Sequence, residues 1–196
     1  MSMSFQSRVI RSIFVVLAAV VLLVFPVSAQ AQTPDIGMKA PDFTLSTASG
    51  TPVQLSKLTE KGLVVLVFLR GYPGYNDPFC QQQVRDFLIS WQPFATRNTQ
   101  LVFVYPGPAK DIAEHAKKFL VDQDQLPENF HLVLDPDYTL TNLYDLRWKA
   151  EQETAYPATF LVNSKGNVVY RKIGRTYSER TTAFEMLRAI VSVKDH

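Results

Sequence analysis

An α/β domain with a central mixed β-sheet flanked by helices, preceded by an N-terminal β-hairpin, is predicted by three features of this 196-residue chain. Residues 63–69 (LVVLVFL) and 101–105 (LVFVY) are continuous aliphatic and aromatic runs, the pattern of strands covered on both faces. A helical pattern separates them, and a strand, helix, strand order pairs its strands in parallel through a right-handed crossover. Further on, Thr159-Phe160-Leu161-Val162 and Val168-Val169-Tyr170 flank Asn163-Ser164-Lys165-Gly166-Asn167, a hairpin signal with a glycine able to take positive φ. Parallel pairing at one place and antiparallel pairing at another make the sheet mixed.

The elements follow in order. Arg8 and Arg11 precede an apolar run of 13 residues, 13–25, and then Pro26 and Ala29-Gln30-Ala31. A bilayer span needs about 20 residues, so the run reads as the core of a signal peptide, residues 1–31, with cleavage before Gln32. An uncleaved anchor is the alternative, since apolar residues begin at Val9. Export to a secreted or periplasmic location and one domain over residues 32–196 are the expectations. Phe43-Thr44-Leu45 and Val53-Gln54-Leu55 alternate around Ser49-Gly50 as a small antiparallel hairpin. After the central strand, Val84, Phe87, Leu88 and Trp91 lie at i, i+3, i+4 and i+7, one apolar helix face. Ile112, Ala116, Phe119 and Leu120 mark a second helix, Leu132-Val133-Leu134 a short strand, and residues 139–146 a short helix. Phe184, Leu187, Ile190 and Val191 mark a closing helix, with Ser178 as its expected cap.

Composition narrows the chemistry. Lys+Arg number 20 and Asp+Glu 18, and loss of Arg8 and Arg11 with the leader would equalise them, so no basic footprint for nucleic acid is present. The single cysteine excludes an internal disulfide and the two-thiol exchange of a C-x-x-C pair. His115, His131 and His196 have no metal-ligand spacing, and no Walker loop, G-x-S-x-G or G-x-G-x-x-G occurs, so neither a metal nor a cofactor is expected.

The remaining chemistry lies in Arg70-Gly71-Tyr72-Pro73-Gly74-Tyr75-Asn76-Asp77-Pro78-Phe79-Cys80, between a buried strand and a helix. Open α/β sheets place sites at the carboxyl ends of parallel strands. Asp77 suits an N-cap and Pro78 the first helical position, which puts Cys80 in the first turn, where the helix dipole favours a thiolate. The plain alternative is that Cys80 is a small buried apolar residue.

This segment resembles the peroxiredoxin signature P-x-x-x-T-x-x-C, with Pro73, Asp77 and Cys80 in the matching positions and Asp in place of Thr. Ala40-Pro41-Asp42-Phe43 resembles the entry of the alkyl hydroperoxide reductase and thiol-specific antioxidant group. Tyr156-Pro157-Ala158-Thr159-Phe160 with Lys165-Gly166 resembles the P-A-T-F strand and hairpin of its thioredoxin-fold relatives. The resemblance implies a thioredoxin-like fold and a peroxidatic Cys80 that attacks a hydroperoxide, forms a sulfenic acid and is reduced by an external thiol. It also leaves room for an oligomer. Pro73 would shape the loop around the sulfur. The family's active-site arginine has no counterpart in Ala155-Tyr156-Pro157-Ala158. Arg70, at the end of the central strand, is the expected substitute, and Arg147 is expected to be a solvated charge.

Asp77 admits two roles: a carboxylate facing the sulfur would suppress its ionisation, whereas one turned to the backbone would only cap the helix. Two other readings stand beside the peroxidase. One is a redox-inactive thioredoxin-fold module that binds a partner. The other, less favoured, is a disulfide reductase whose attacking sulfur would fall where Asp77 stands.

Overall fold

The computed structural model describes residues 31–72, 77–120, 126–176 and 178–194. The expected leader, apart from Ala31, lies outside them, and so does Pro73. A two-stranded antiparallel ribbon, β1 (Thr44–Ser46) and β2 (Pro52–Gln54), leads into α1 (Leu55–Thr59). The chain continues through β3 (Leu63–Phe68), α2 (Pro78–Ile89), α3 (Trp91–Ala95), β4 (Thr99–Gly107), α4 (Ile112–Phe119) and β5 (Phe130–Pro136). It closes with α5 (Thr139–Leu143), β6 (Ala158–Val162), β7 (Val168–Ile173) and α6 (Ala183–Lys194).

Five strands form one sheet in the order β5-β4-β3-β6-β7. β4 runs parallel to β3 and β5, while β6 is antiparallel to β3 and β7. The sheet is therefore mixed, with β3 at its centre, as the aliphatic run predicts. Alternation along β3 explains why every residue there is apolar. Val65, Val67 and, just past the strand, Leu69 pack with Val84, Phe87, Met186 and Ile190 on the α2/α6 side. Val64, Leu66 and Phe68 pack with Leu55, Leu58, Leu140 and Tyr144 on the other.

Two helix faces differ from the expected ones. The α2 pattern does not extend to Trp91, because α2 ends at Ile89 and Trp91 opens α3, 40% exposed. On α6 the buried residues are Ala183, Met186 and Ile190, while Phe184 is 71% and Val191 46% exposed. The face is rotated by one residue because Asp86 of α2 accepts the Ala183 N–H at 2.6 Å and sets the helix entry. The cap is also different: Thr182 Oγ1, not Ser178, accepts the Glu185 N–H at 3.1 Å.

Two details hold the loops near the site. Gly71 has φ +63°, and a Cβ there would lie 1.9 Å from the Pro106 carbonyl oxygen, so only glycine allows the chain leaving β3 to turn against β4. Asp135, fully buried at the end of β5, accepts the Leu140 N–H at 2.7 Å, the Thr141 N–H at 2.8 Å and the Thr141 hydroxyl at 2.6 Å. That carboxylate satisfies the open amides of α5, whose own N-cap residue, Tyr138, makes no side-chain cap. Among the described residues no helix is long and apolar enough to cross a membrane.

Candidate active site

α2 begins as its sequence dictates. Asp77 is extended at φ −66°, ψ 108°, its Oδ1 accepts the Phe79 N–H at 3.0 Å, and Pro78 takes a position where a missing N–H costs nothing. Cys80 follows in the first turn, 1% exposed. Three groups surround its sulfur. The Arg70 backbone N–H donates to Sγ at 3.3 Å, Arg180 Nη2 donates to Sγ at 3.3 Å, and the thiol donates to Asp77 Oδ2 at 3.3 Å. Arg180 Nη2 also bonds Asp77 Oδ2 at 2.6 Å. Sγ, Oδ2 and Nη2 thus form a closed triangle.

Both roles considered for Asp77 are realised at once, one oxygen for each. Oδ1 caps the helix, and Oδ2 faces the sulfur while paired with Arg180. This ion pair is deeply buried, with side chains 4% and 7% exposed. Because its low-dielectric surroundings do not screen it, loss of one partner would leave the other charge stranded.

Burial pushes the Cys80 thiol up to about 12; Arg180 opposes the rise, Asp77 adds to it, and the Arg70 N–H opposes it. Against the ordinary thiol value of 9.0, that is a penalty of about 4 kcal/mol on the thiolate. A helix dipole supplies about 2 kcal/mol at most. The resting form is therefore a neutral thiol, which corrects the expectation drawn from the helix N-terminus alone. Burial also pushes the neighbouring Tyr105 hydroxyl up to about 12.

The guanidinium at the sulfur is not that of Arg70. The Arg70 side chain turns away to Glu153, with Nη2 to Oε2 at 2.9 Å, and only its backbone reaches Cys80. The Thr154 hydroxyl bonds the Arg70 carbonyl, fixing that backbone. Nor is Arg147 a solvated charge. Its Nη1 donates to the Trp148 and Glu153 carbonyls at 2.6 and 2.9 Å, and its guanidinium lies 4.0 Å above the Tyr138 ring.

Arg180 was not among the residues expected at the site. The signal that points to it is a polar stripe on α2 at three-residue spacing: Asp77, Cys80, Gln83 and Asp86. Each member docks the chain where it enters α6. Asp77 and Cys80 take Arg180, Gln83 Nε2 donates to the Thr181 carbonyl at 2.9 Å, and Asp86 takes the Ala183 N–H. Beside this seam lies a cavity of about 480 Å³ lined by Phe79, Gln82, Arg180 and Phe184 among others. Among the described residues no cluster of His, Cys, Asp and Glu could hold a metal ion.

Comparison with known proteins agrees with this architecture. The profile of the AhpC/TSA family matches residues 36–171, a span that ends before Arg180. Peroxiredoxin Bcp of Bacillus subtilis (strain 168) is 31% identical over 149 residues, covering 72% of this chain and 87% of that protein. Thiol-disulfide oxidoreductase ResA of the same organism is 31% identical over 135 residues, 68% of this chain and 64% of the relative's length. Among solved structures, peroxidoxin BcpB from Mycobacterium tuberculosis superposes with a TM-score of 0.65 at 20% identity, covering 82% of this chain and 98% of that one. The reduced Plasmodium vivax 2-Cys peroxiredoxin gives 0.64 at 18% identity, covering 82% and 97%. At such identities these structures speak for the fold, and the sheet, the ribbon and the helix layers are those of a thioredoxin-like domain. With the family match over residues 36–171 and Cys80 in the first turn of α2, the chain belongs to the AhpC/TSA family, as a peroxiredoxin-like redoxin.

Proposed function

We propose that the protein is an exported thiol-dependent peroxidase that reduces hydroperoxides through Cys80 as its single peroxidatic cysteine. The observation that carries the reading is the pair of donors aimed at Sγ, the Arg70 N–H and Arg180 Nη2, each at 3.3 Å. Donors held in that position stabilise the thiolate that has to form before the sulfur attacks an oxygen. The product is a cysteine sulfenic acid, and with one cysteine in the chain its reduction falls to an external thiol or to an intermolecular partner. The test is the mass of Cys80 after one equivalent of hydrogen peroxide with a sulfenic-acid trap present. The trapped adduct is the expected result, and an unmodified cysteine would reject the reading.

One observation favours a different role. A sulfur 1% exposed and pushed up to about 12 is also what a structural cysteine in a partner-binding module would show. Under that reading the same peroxide challenge leaves Cys80 untouched.

The export part of the proposal rests on Arg8, Arg11, the apolar run 13–25 and Ala29-Gln30-Ala31. Protein recovered from its native host is expected to begin at Gln32. An intact Met1 on membrane-bound material would overturn cleavage.

A further inference from the structure

We propose that Asp77 is a catalytic residue, its Oδ2 taking the Cys80 thiol proton as Sγ attacks a hydroperoxide and returning that proton to the leaving oxygen. The inference rests on the peroxidase reading and goes one step further, assigning the route of the proton.

The triangle of Sγ, Oδ2 and Nη2 carries the argument. The thiol already donates to Oδ2 at 3.3 Å, and Arg180 Nη2 touches both acceptors, at 2.6 Å and 3.3 Å. Cys80 and Asp77 together hold one proton and one negative charge beneath one guanidinium. Passing the proton from sulfur to Oδ2 leaves the charge facing Arg180 unchanged. Releasing it to solvent would instead place two anions beside a single cation in a dry site, which burial penalises. Nε and Nη1 of Arg180 are buried with no hydrogen-bond partner among the described residues, so the guanidinium acts on this pair through Nη2.

The transfer also changes what Asp77 can do. An ionised carboxylate only accepts hydrogen bonds, whereas its protonated form carries an O–H that donates. The same proton movement thus produces the nucleophile and a donor for the peroxide. The step balances: the S–O bond forms to the terminal peroxide oxygen, which keeps its hydrogen, and the O–O bond breaks. Sulfur is oxidised by two electrons to the sulfenic acid, the peroxide is reduced, and the departing oxygen takes the proton from Oδ2 to leave as an alcohol or water.

The other groups around the pair are fixed by their own contacts. Arg70 contributes only its backbone, its guanidinium being on Glu153. Tyr105, from β4, is pushed up to about 12 by burial and stays neutral in the working range. Tyr72 packs on the same core cluster with its ring stacked on His115.

The test compares wild type with Asp77→Asn, an isostere that can still cap α2 through its side-chain oxygen, under single-turnover conditions. For wild type, the second-order rate with hydroperoxide should change less than about twofold from pH 6 to pH 9, since the proton never leaves the pair. For Asp77→Asn it should climb about tenfold per pH unit, following the thiolate fraction. A second electrophile separates proton delivery from simple charge effects. Iodoacetamide needs no proton on its leaving iodide, so Asp77→Asn should lose at least about tenfold more rate toward peroxide than toward iodoacetamide. A wild-type rate that itself rises tenfold per pH unit, or equal rate changes toward the two electrophiles, would overturn the relay while leaving the peroxidase reading intact. Failure of wild-type Cys80 to form a sulfenic acid at all would overturn both.

Discussion

Cys80→Ser is expected to abolish hydroperoxide consumption in the presence of a small thiol while the domain remains folded. The serine hydroxyl can occupy the same triangle, donating to Asp77 Oδ2 and accepting from Arg180, so the cap and the buried ion pair persist. What is lost is the only sulfur able to form a sulfenic acid. Equal turnover by wild type and mutant would return the assignment to the partner-binding module.

The same variant reports on the thiol through stability. Cys80 keeps its proton in the folded state up to about 12 but releases it near the ordinary thiol value of 9.0 once unfolded. Between those values the unfolded chain binds fewer protons, so stability falls as pH rises. The slope from this group is about 1.4 kcal/mol per pH unit. Cys80→Ser removes that contribution, and chemical denaturation at pH 8, 9 and 10 is expected to show a shallower alkaline decline in the mutant. An unchanged slope would mean that the sulfur is not the buried neutral thiol described here.

Arg180→Met is expected to damage both stability and chemistry. Methionine keeps much of the apolar stem but removes the cation, leaving the Asp77 carboxylate buried, 4% exposed, with its ion-pair partner gone. Breaking a buried pair from one side costs about 3 to 5 kcal/mol. Loss of a donor aimed at the reacting centre lowers rate by about 10²- to 10³-fold. The two effects separate in the double variant Arg180→Met/Asp77→Thr. Threonine retains the cap and removes the stranded charge, so the midpoint of urea unfolding should recover toward wild type while the peroxide rate stays low. A single variant as stable as wild type would show that the ion pair contributes nothing. A single variant with wild-type peroxide rate would remove Arg180 from the site.

The sheet was readable in the sequence because its signals are local. Residues 63–68 are apolar without interruption since both faces of β3 are covered, and the turns at Ser49-Gly50 and Lys165-Gly166 mark their hairpins by residue type. The start of α2 was equally legible, for Asp77-Pro78 carries its own cap and its own missing amide. The helix faces were less so. α6 contains apolar residues on more than one side, and only tertiary contacts, among them the Asp86 bond to the Ala183 N–H and the Lys172–Glu185 ion pair, decide that Ala183, Met186 and Ile190 turn inward while Phe184 turns out.

The electrostatics of the site lay furthest from the sequence. Arg70 stands near Cys80 along the chain, yet its side chain finds Glu153, and the guanidinium that reaches Sγ comes from a residue 100 positions away. The polar stripe on α2 marks where the chain returns, but nothing local singles out Arg180, because an arginine in a polar segment looks like any solvated charge until folding buries it. The sequence alone determined that one sulfur would sit in the first turn of a capped helix at the end of a central strand. Whether that sulfur rests as thiol or thiolate was decided by tertiary structure, since desolvation depends on everything packed around Cys80 and the opposing charges of Asp77 and Arg180 depend on where the chain returns.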